Sequence, residues 1–582
     1  MPGELDARDR DQAIRALAAA PLDVLVIGGG VTGAGAALDA ASRGLRVGLV
    51  ESRDLAAGTS SRSSKLIHGG LRYLEQRDFK LVKEALRERD LLVSRLAPHL
   101  VRPVPFLYPL YKKVVERPYI GAGLVIYDAM EGVKRPVPHH RHLTTRGALR
   151  RAPALRPERL AGAMLYYDAQ VDDARFTVTV ARTAARYGAR VLTRATAVAL
   201  LRDGGRVTGA TVRDEETGRV FDVQAARVIV CAGVWSDLVH QASGVRAGYQ
   251  VRMSKGVHLV MNRSAIDADT GIIARTRKSV LFFIPWDERW IVGTTDTEWS
   301  GDRAEPAATA EDVDYILAEA NRVLARPLTR DDVLAVYAGL RPLVAEPADK
   351  HAADKHPGES PAGDEGAVKP TTKLSREHVV DNPLPGLVSI AGGKFTTYRL
   401  MARDVVDAAV ADLHLGRPVP PSVTGQLPLL GADGLPAVQA SARRLAAEHG
   451  VPLDVTEHLI ARYGSLAAEV LTVIDTDKTL ARPLTDGYPY VRAEVAYAVT
   501  HEGALRAEDV LARRVRLLIE APDGGVSAAP EVVAIMAGLL GWNRRRRAAE
   551  LRRYREFAAA NGAALTGGRS LPVAAAEVLV PA

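Results

Sequence analysis

The stretch Val24-Leu25-Val26-Ile27-Gly28-Gly29-Gly30-Val31-Thr32-Gly33 runs an apolar strand straight into a Gly28-x-Gly30-x-x-Gly33 turn. Alanine-rich helical sequence follows and stops at Gly44; Val47 to Val50 then reads as a second strand ending at Glu51. Glycines at this spacing permit a tight bend, close backbone approach and close packing of the helix on the strand. The helix N-terminus, with its unpaired N–H groups and positive dipole end, then faces a pyrophosphate, and Glu51 stands where a carboxylate accepts hydrogen bonds from an adenosine ribose. The unit predicts a dinucleotide-binding α/β domain. An acid at position 51 fits FAD or NAD(H) and disfavours the 2′-phosphate of NADP.

Outward from this unit, Thr59 to Tyr73 (TSSRSSKLIHGGLRY) is too polar and glycine-rich for a core helix and dense in donors that could line an extended cofactor. Phe79, Val82, Leu86, Val93 and Leu96 recur at helical spacing, which predicts a helix from Asp78 to Leu96 ended by Pro98. Between Arg190 and Met261 the sequence turns to short β-rich segments, and Val280 to Pro285 followed by Arg289 to Val292 reads as a hairpin. Residues 348–372 contain almost no large apolar side chains and are expected to form a mobile surface loop. After Gly416 the sequence becomes helical, with helices expected over Val455 to Leu471, Arg492 to Thr500, Glu508 to Leu518 and Glu531 to Leu540.

A chain of 582 residues is too long for one core. Its formal charge of +8 favours anionic partners: a phosphorylated substrate, an anionic bilayer surface or nucleic acid. No run of about 18 uncharged apolar residues is present, so membrane contact would be peripheral. The charged segment Met1 to Arg15 lacks an apolar signal-peptide region, which predicts a cytoplasmic location. The single cysteine, Cys231, sits in an apolar run and reads as a buried strand residue. His139, His140 and His142 lie in a Pro/Arg loop without metal-ligand spacing, and no metal is expected.

Ser63-Ser64-Lys65-Leu66-Ile67-His68-Gly69-Gly70-Leu71-Arg72-Tyr73 resembles the signature of the FAD-dependent, quinone-linked glycerol-3-phosphate dehydrogenases. The resemblance continues through Lys255-Gly256-Val257-His258, Gly293-Thr294-Thr295-Asp296, Gly339 to Leu343 and Gly392 to Arg399, and through Arg462-Tyr463-Gly464, Ala496 to Glu502 and Gly541-Trp542 near the C-terminus. It implies a mixed α/β chain with a glutathione-reductase-like FAD domain (18–98, 160–245 and 386–412), an antiparallel-sheet substrate domain (99–159 and 246–385) and a helical C-terminal domain (417–582). For FAD it implies contacts from Gly28, Gly30, Gly33, Glu51, Thr59, Ser60, Ser63, Ser64, Lys65, His68, Val198, Ala232, Gly233, Gly393 and Thr396. For sn-glycerol 3-phosphate it implies Arg72, Tyr73, Arg341, Arg376 and Lys394, with His258 near the reacting carbon. Guanidinium groups suit a phosphate dianion because their planar forks match its oxygens.

Oxidation of the C2 alcohol needs a base within reach of the hydroxyl proton, and His258 is the candidate, although a histidine ending a strand can equally orient another residue or satisfy a core hydrogen bond; Arg341 and Lys394 would also stabilise the developing alkoxide. Ser375-Arg376-Glu377-His378 departs from the expected arginine followed two residues later by tyrosine: His378 could replace the aromatic hydroxyl, or the preceding loop could shift the segment and Arg376 with it. The resemblance also implies a membrane quinone as electron acceptor and a homodimer. Tyr119 to Tyr127, after Lys112, Lys113 and Arg117, could dock on the bilayer or form an ordinary buried helix; the arginines at 544–547, 552, 553 and 555 could rest on anionic lipid or be a solvated face. Alternatives are a glycerol-phosphate oxidase producing peroxide, an amine or amino-acid oxidase, and an FAD-containing nucleic-acid-binding protein. The last lacks a recognition motif, and no nucleic acid is expected.

Overall fold

The computed structural model describes residues 3–70, 78–112, 115–130, 136–277, 279–345 and 377–566. Its first sheet contains β1 (Leu22–Ile27), β2 (Val47–Val50), β7 (Arg190–Leu192), β10 (Val220–Val230), β17 (His378–Leu384) and β18 (Leu387–Gly392) in the order β17-β18-β10-β1-β2-β7, and β8 (Ala195–Asp203) and β9 (Arg206–Asp214) form a meander with β10. All neighbours along that path are parallel except β17 and β18. Strands buried on both faces need continuous apolar runs. Val24 and Val26 accordingly pack under helices Val31–Ser42, Asp173–Arg186 and Tyr398–Val410, while Leu25 and Ile27 face the meander.

The second sheet holds β3 (Leu66–Ile67), β4 (Val101–Leu110), β5 (Arg141–Leu143), β6 (Gly162–Val171), β11 (Gln250–Asn262), β12 (Gly271–Arg275), β13 (Val280–Trp286), β14 (Arg289–Gly293), β15 (Thr297–Trp299) and β16 (Val333–Ala345). The expected hairpin is β13–β14. β3 and β6 pair with each other, and β6 also pairs with β4, so residues 66–67 and 162–171 lie in the second sheet, while β17 lies in the first beside β18. The largely apolar composition of β3 and β6 is compatible with either sheet, and only the pairing decides.

The helical region holds helices Leu453–Tyr463, Ala467–Thr476, Arg492–Glu502, Ala529–Leu540 and Arg544–Thr566, the last 23 residues long. The single helix expected over Val455 to Leu471 is broken at Gly464. Its φ of +60° and its contact with the Gly431 carbonyl leave no room for a side chain, a tertiary demand that periodicity does not register. Likewise Glu508 to Leu518 is a π-helical turn, Asp509–Arg514, followed by Arg516 in the left-handed region (φ +51°).

Buried ion pairs stitch the C-terminal region to the first sheet's helices and loops: Arg175 with Glu502, Arg513 and Arg514 with Asp54, Arg194 with Asp509. Glu520 joins it to the second sheet by accepting from Trp286 Nε1 (3.2 Å), and within its own region it accepts from the Tyr490 hydroxyl (2.8 Å). Burial raises its pKa from 4.5 to about 7. A folded-state pKa above the unfolded one gives stability that is complete below about pH 4.5 and lost as pH rises to about 7, on the order of 3 kcal/mol here. Glu520→Gln should therefore flatten the decline of melting temperature between those pH values. An unchanged slope would place the titration elsewhere.

Candidate active site

The loops after β1, β2, β10 and β18 gather at the carboxyl ends of parallel strands, where open α/β sheets bind their ligands. Helix Val31–Ser42 begins at Gly30 with no side-chain cap, while the Ser60 hydroxyl accepts from Val31 N–H (2.9 Å). Gly28 has φ +113°, and a Cβ on Gly33 would be driven into the Gly28 carbonyl. Glu51 accepts from Gly29 N–H (2.6 Å) and Arg53 N–H (2.7 Å), which aims its carboxylate across the turn. Cys231 N–H donates to the Ile27 carbonyl, so Ala232 and Gly233 follow directly alongside. Val198 is skipped at the β8–β9 bulge. The Cys231 thiol is buried, its pKa pushed up to about 12, in keeping with a structural role.

Residues of the 59–68 segment divide by partner. Thr59 Oγ1 donates to the Leu340 carbonyl (2.7 Å), and His68 N–H donates to Thr396 Oγ1 (3.1 Å), which brings the segment after Gly393 onto this loop. Ser63 donates through N–H (2.9 Å) and Oγ (2.7 Å) to Asp173. The Lys65 ammonium is fully buried on Asp173 (2.9 Å) and the Ser61 carbonyl (3.2 Å), and burial lowers its pKa to about 8. The sequence shows a lysine in a polar loop; the buried carboxylate that takes it lies over a hundred residues away.

β11 and β16 carry the rest. In their antiparallel register Ser254 faces Arg341, Gly256 faces Gly339 and His258 faces Tyr337, and residues two apart share a face. The two glycines clear the middle of this ladder. A Cβ on Gly256 would come within 2.5 Å of Arg341 Nη2 and 2.7 Å of Thr294 Oγ1, and one on Gly339 would strike the Arg62 carbonyl. The Arg341 guanidinium thus leans over Gly256 toward His258. It donates to Thr294 Oγ1 (3.1 Å) and the Thr295 carbonyl (3.2 Å), with Asp296 at 3.7 Å. His258 is buried; its Nε2 meets the Ser64 hydroxyl (2.9 Å) and its ring stacks on Tyr337 (4.8 Å, 11°). Burial, then Arg341 and Lys65, hold its pKa well below the usual imidazole range, so it is neutral and able to accept a proton.

Lys394 begins the 3-10 turn Phe395–Thr397 after β18. Arg72, Tyr73 and Arg376 lie outside the described residues, as does the expected loop 348–372. His378 pairs with Asp404 (3.0 Å). Asp128 accepts from His139 and His140, and the described residues contain no cluster that could hold a metal. Sequence reasoning missed Asp173, Tyr337 and Thr294 to Asp296. The last group stands within a quoted motif and could have been paired with Arg341; the others carry no local signal.

A family model described as FAD dependent oxidoreductase matches residues 23–399, and one described as the C-terminal domain of alpha-glycerophosphate oxidase matches residues 422–547. Glycerol-3-phosphate dehydrogenase 2 of Mycobacterium tuberculosis (strain ATCC 25618 / H37Rv) is 52% identical over 538 residues, 92% of this chain and 88% of that one. The chain belongs to the FAD-dependent glycerol-3-phosphate dehydrogenase family. Mitochondrial glycerol-3-phosphate dehydrogenase of Homo sapiens is 38% identical over 92% of this chain and 73% of its own length. Among solved structures, the glycerol-3-phosphate dehydrogenase from Bacillus halodurans complexed with FAD matches with a TM-score of 0.76 at 29% identity, over 96% of this chain and 98% of that one. FAD, the cofactor of this family, fits the uncapped helix start and the glycine cradle at residues 28–33.

Proposed function

We propose that this member of the family oxidises sn-glycerol 3-phosphate to dihydroxyacetone phosphate and passes the electrons to a membrane quinone. FAD supplies the hydride acceptor, N5, for the hydrogen leaving C2. Neutral His258 takes the C2 hydroxyl proton, and Arg341 and Lys394 bind phosphate and stabilise the developing alkoxide. The observation that carries this assignment is the β11–β16 ladder, which seats the Arg341 guanidinium over Gly256 and, one pair along, the neutral His258 imidazole on Tyr337. Cationic donors of this kind suit a phosphate and do not suit the amine of an amine oxidase.

Anaerobic addition of sn-glycerol 3-phosphate to the FAD-loaded protein should bleach the oxidised flavin absorbance. A fully loaded, folded sample that stays unbleached would remove the substrate assignment. Reoxidation by a soluble quinone analogue without peroxide supports the dehydrogenase; rapid peroxide formation in air would make it an oxidase.

For the bilayer, helix Glu116–Ala129 supplies the supporting feature. It buries Ile120, Leu124 and Tyr127 and leaves Tyr119, Val125 and Ile126 at 59, 57 and 42% exposure. An apolar face of this kind can seat a protein at the acyl boundary of an anionic membrane, here its cytoplasmic side. Of the flanking bases, Lys112 is exposed, Lys113 lies outside the described residues, and Arg117 donates to the Leu143 carbonyl (3.0 Å). No helix among the described residues is long and apolar enough to cross a membrane.

A further inference from the structure

We propose that Arg516, from the C-terminal helical domain, is a positioning residue for the substrate site: with Asp173 it fixes the turn at residues 61–65, whose Ser64 hydroxyl holds His258. The inference rests on the substrate assignment above. The carboxylate of Asp173, the first residue of helix Asp173–Arg186, accepts from Ala174 N–H of its own helix (3.0 Å) and from Ser63, Lys65 and Arg516. Its Oδ2 accepts from Ser63 N–H and Oγ, and its Oδ1 from Lys65 Nζ (2.9 Å) and Arg516 Nη2 (3.2 Å). The Ser61 carbonyl accepts from the same two cations, at 3.2 Å from Lys65 and 3.1 Å from Arg516. Both bases are therefore bound to one carboxylate and one carbonyl, and the turn between Ser61 and Lys65 is closed like a clasp.

Three further observations tie this clasp to chemistry. Lys65 and Arg516 both have left-handed backbones, at φ +56° and +51°, a conformation that non-glycine residues keep only where surroundings over-determine it and that concentrates at functional sites. All three ions are buried, with 0–2% side-chain exposure, where an unneutralised charge is costly and the geometry correspondingly rigid. Tyr337 closes the circuit: its hydroxyl donates to the Ser63 carbonyl (2.9 Å) while its ring supports the face of His258. Ser64 is the one member of the turn whose side chain reaches that imidazole. The second anchor of Arg516, from Nη1 to the Ala512 carbonyl (2.9 Å), lies within the C-terminal domain, so the domain is a structural part of the active site.

The test compares full-length, FAD-loaded Arg516→Met, Arg516→Lys and Ser64→Ala with the parent. Two quantities are read: the anaerobic rate of flavin reduction per bound FAD, and the imidazole nitrogen resonances of His258 in histidine-labelled protein, assigned with His258→Gln. Misplacement of a reacting group by about 1 Å costs on the order of 100-fold. Arg516→Met and Ser64→Ala should each lose rate on that scale, and each should replace one fixed His258 tautomer by a mixture; Arg516→Lys, which keeps the charge on Asp173, should recover part of both. An Arg516→Met protein that holds FAD, reduces it at the parent's rate and keeps the single tautomer overturns the proposal. If that variant does not fold, parent-like rate and tautomer in both Arg516→Lys and Ser64→Ala overturn it. Should the parent itself not be reduced by sn-glycerol 3-phosphate, the substrate assignment fails, and the tautomer comparison still decides the role of Arg516.

Discussion

Gly33→Ala should yield a protein that cannot retain FAD. The added Cβ would lie far inside van der Waals contact of the Gly28 carbonyl oxygen, 3.0 Å from its carbonyl carbon and 3.3 Å from Cys231 Cβ. Two of those atoms are backbone, and the third is a short side chain just past the end of the adjacent strand β10, so no flexible group can yield. Helix Val31–Ser42 must then withdraw from β1, although it is buried along nearly its whole length. Overpacking of this kind costs typically about 1–3 kcal/mol, and here it falls on the turn that forms the cofactor cradle. Gly30→Ala is the control, because its Cβ would meet only Ser60 Oγ, at 3.2 Å. Flavin absorbance after gel filtration should show FAD nearly absent from Gly33→Ala, with a lowered melting temperature, whereas Gly30→Ala should stay folded. Full FAD occupancy in Gly33→Ala would mean that the turn is not the cradle.

The turn was legible because its demand is local: a strand, three glycines and a helix within one short segment dictate the bend. The same holds for the β13–β14 hairpin. Sheet membership was not local in this sense. β3 and β6 read equally well as strands of either sheet, and their partners lie up to about a hundred residues away. The break at Gly464 likewise answers to Gly431, a loop residue with which its helix has no sequence relation. At the site, the motif residues His258 and Arg341 could be named from the sequence, whereas Asp173, Tyr337 and Arg516 meet the 61–65 turn from three distant elements. Lys65 is a further case, since a polar loop lysine and a buried ion-pair lysine look alike until the carboxylate is in place.

Arg341→Ala should lower kcat/KM by about two to three orders of magnitude with FAD content unchanged, because losing one preorganised donor to a developing oxyanion costs roughly 3–4 kcal/mol. Preorganisation is visible in the parent: Thr294 Oγ1 and the Thr295 carbonyl orient the planar fork, and Gly256 opposite makes the space it occupies. Lysine should restore little, since a single ammonium cannot reproduce the fork. The substitution should also move the acid limb of the pH profile. Burial is the first cause of the low His258 pKa and the Arg341 charge the second, so removing the guanidinium lets that pKa rise toward the ordinary imidazole value. A base that protonates at higher pH is lost sooner on acidification, and the limb therefore shifts to higher pH, in the opposite direction to a variant that merely buried His258 more deeply. Activity within tenfold of the parent in a fully FAD-loaded Arg341→Ala enzyme would exclude Arg341 from the transition state. A large loss with an unmoved acid limb would keep Arg341 on the phosphate and take the titrating base away from His258.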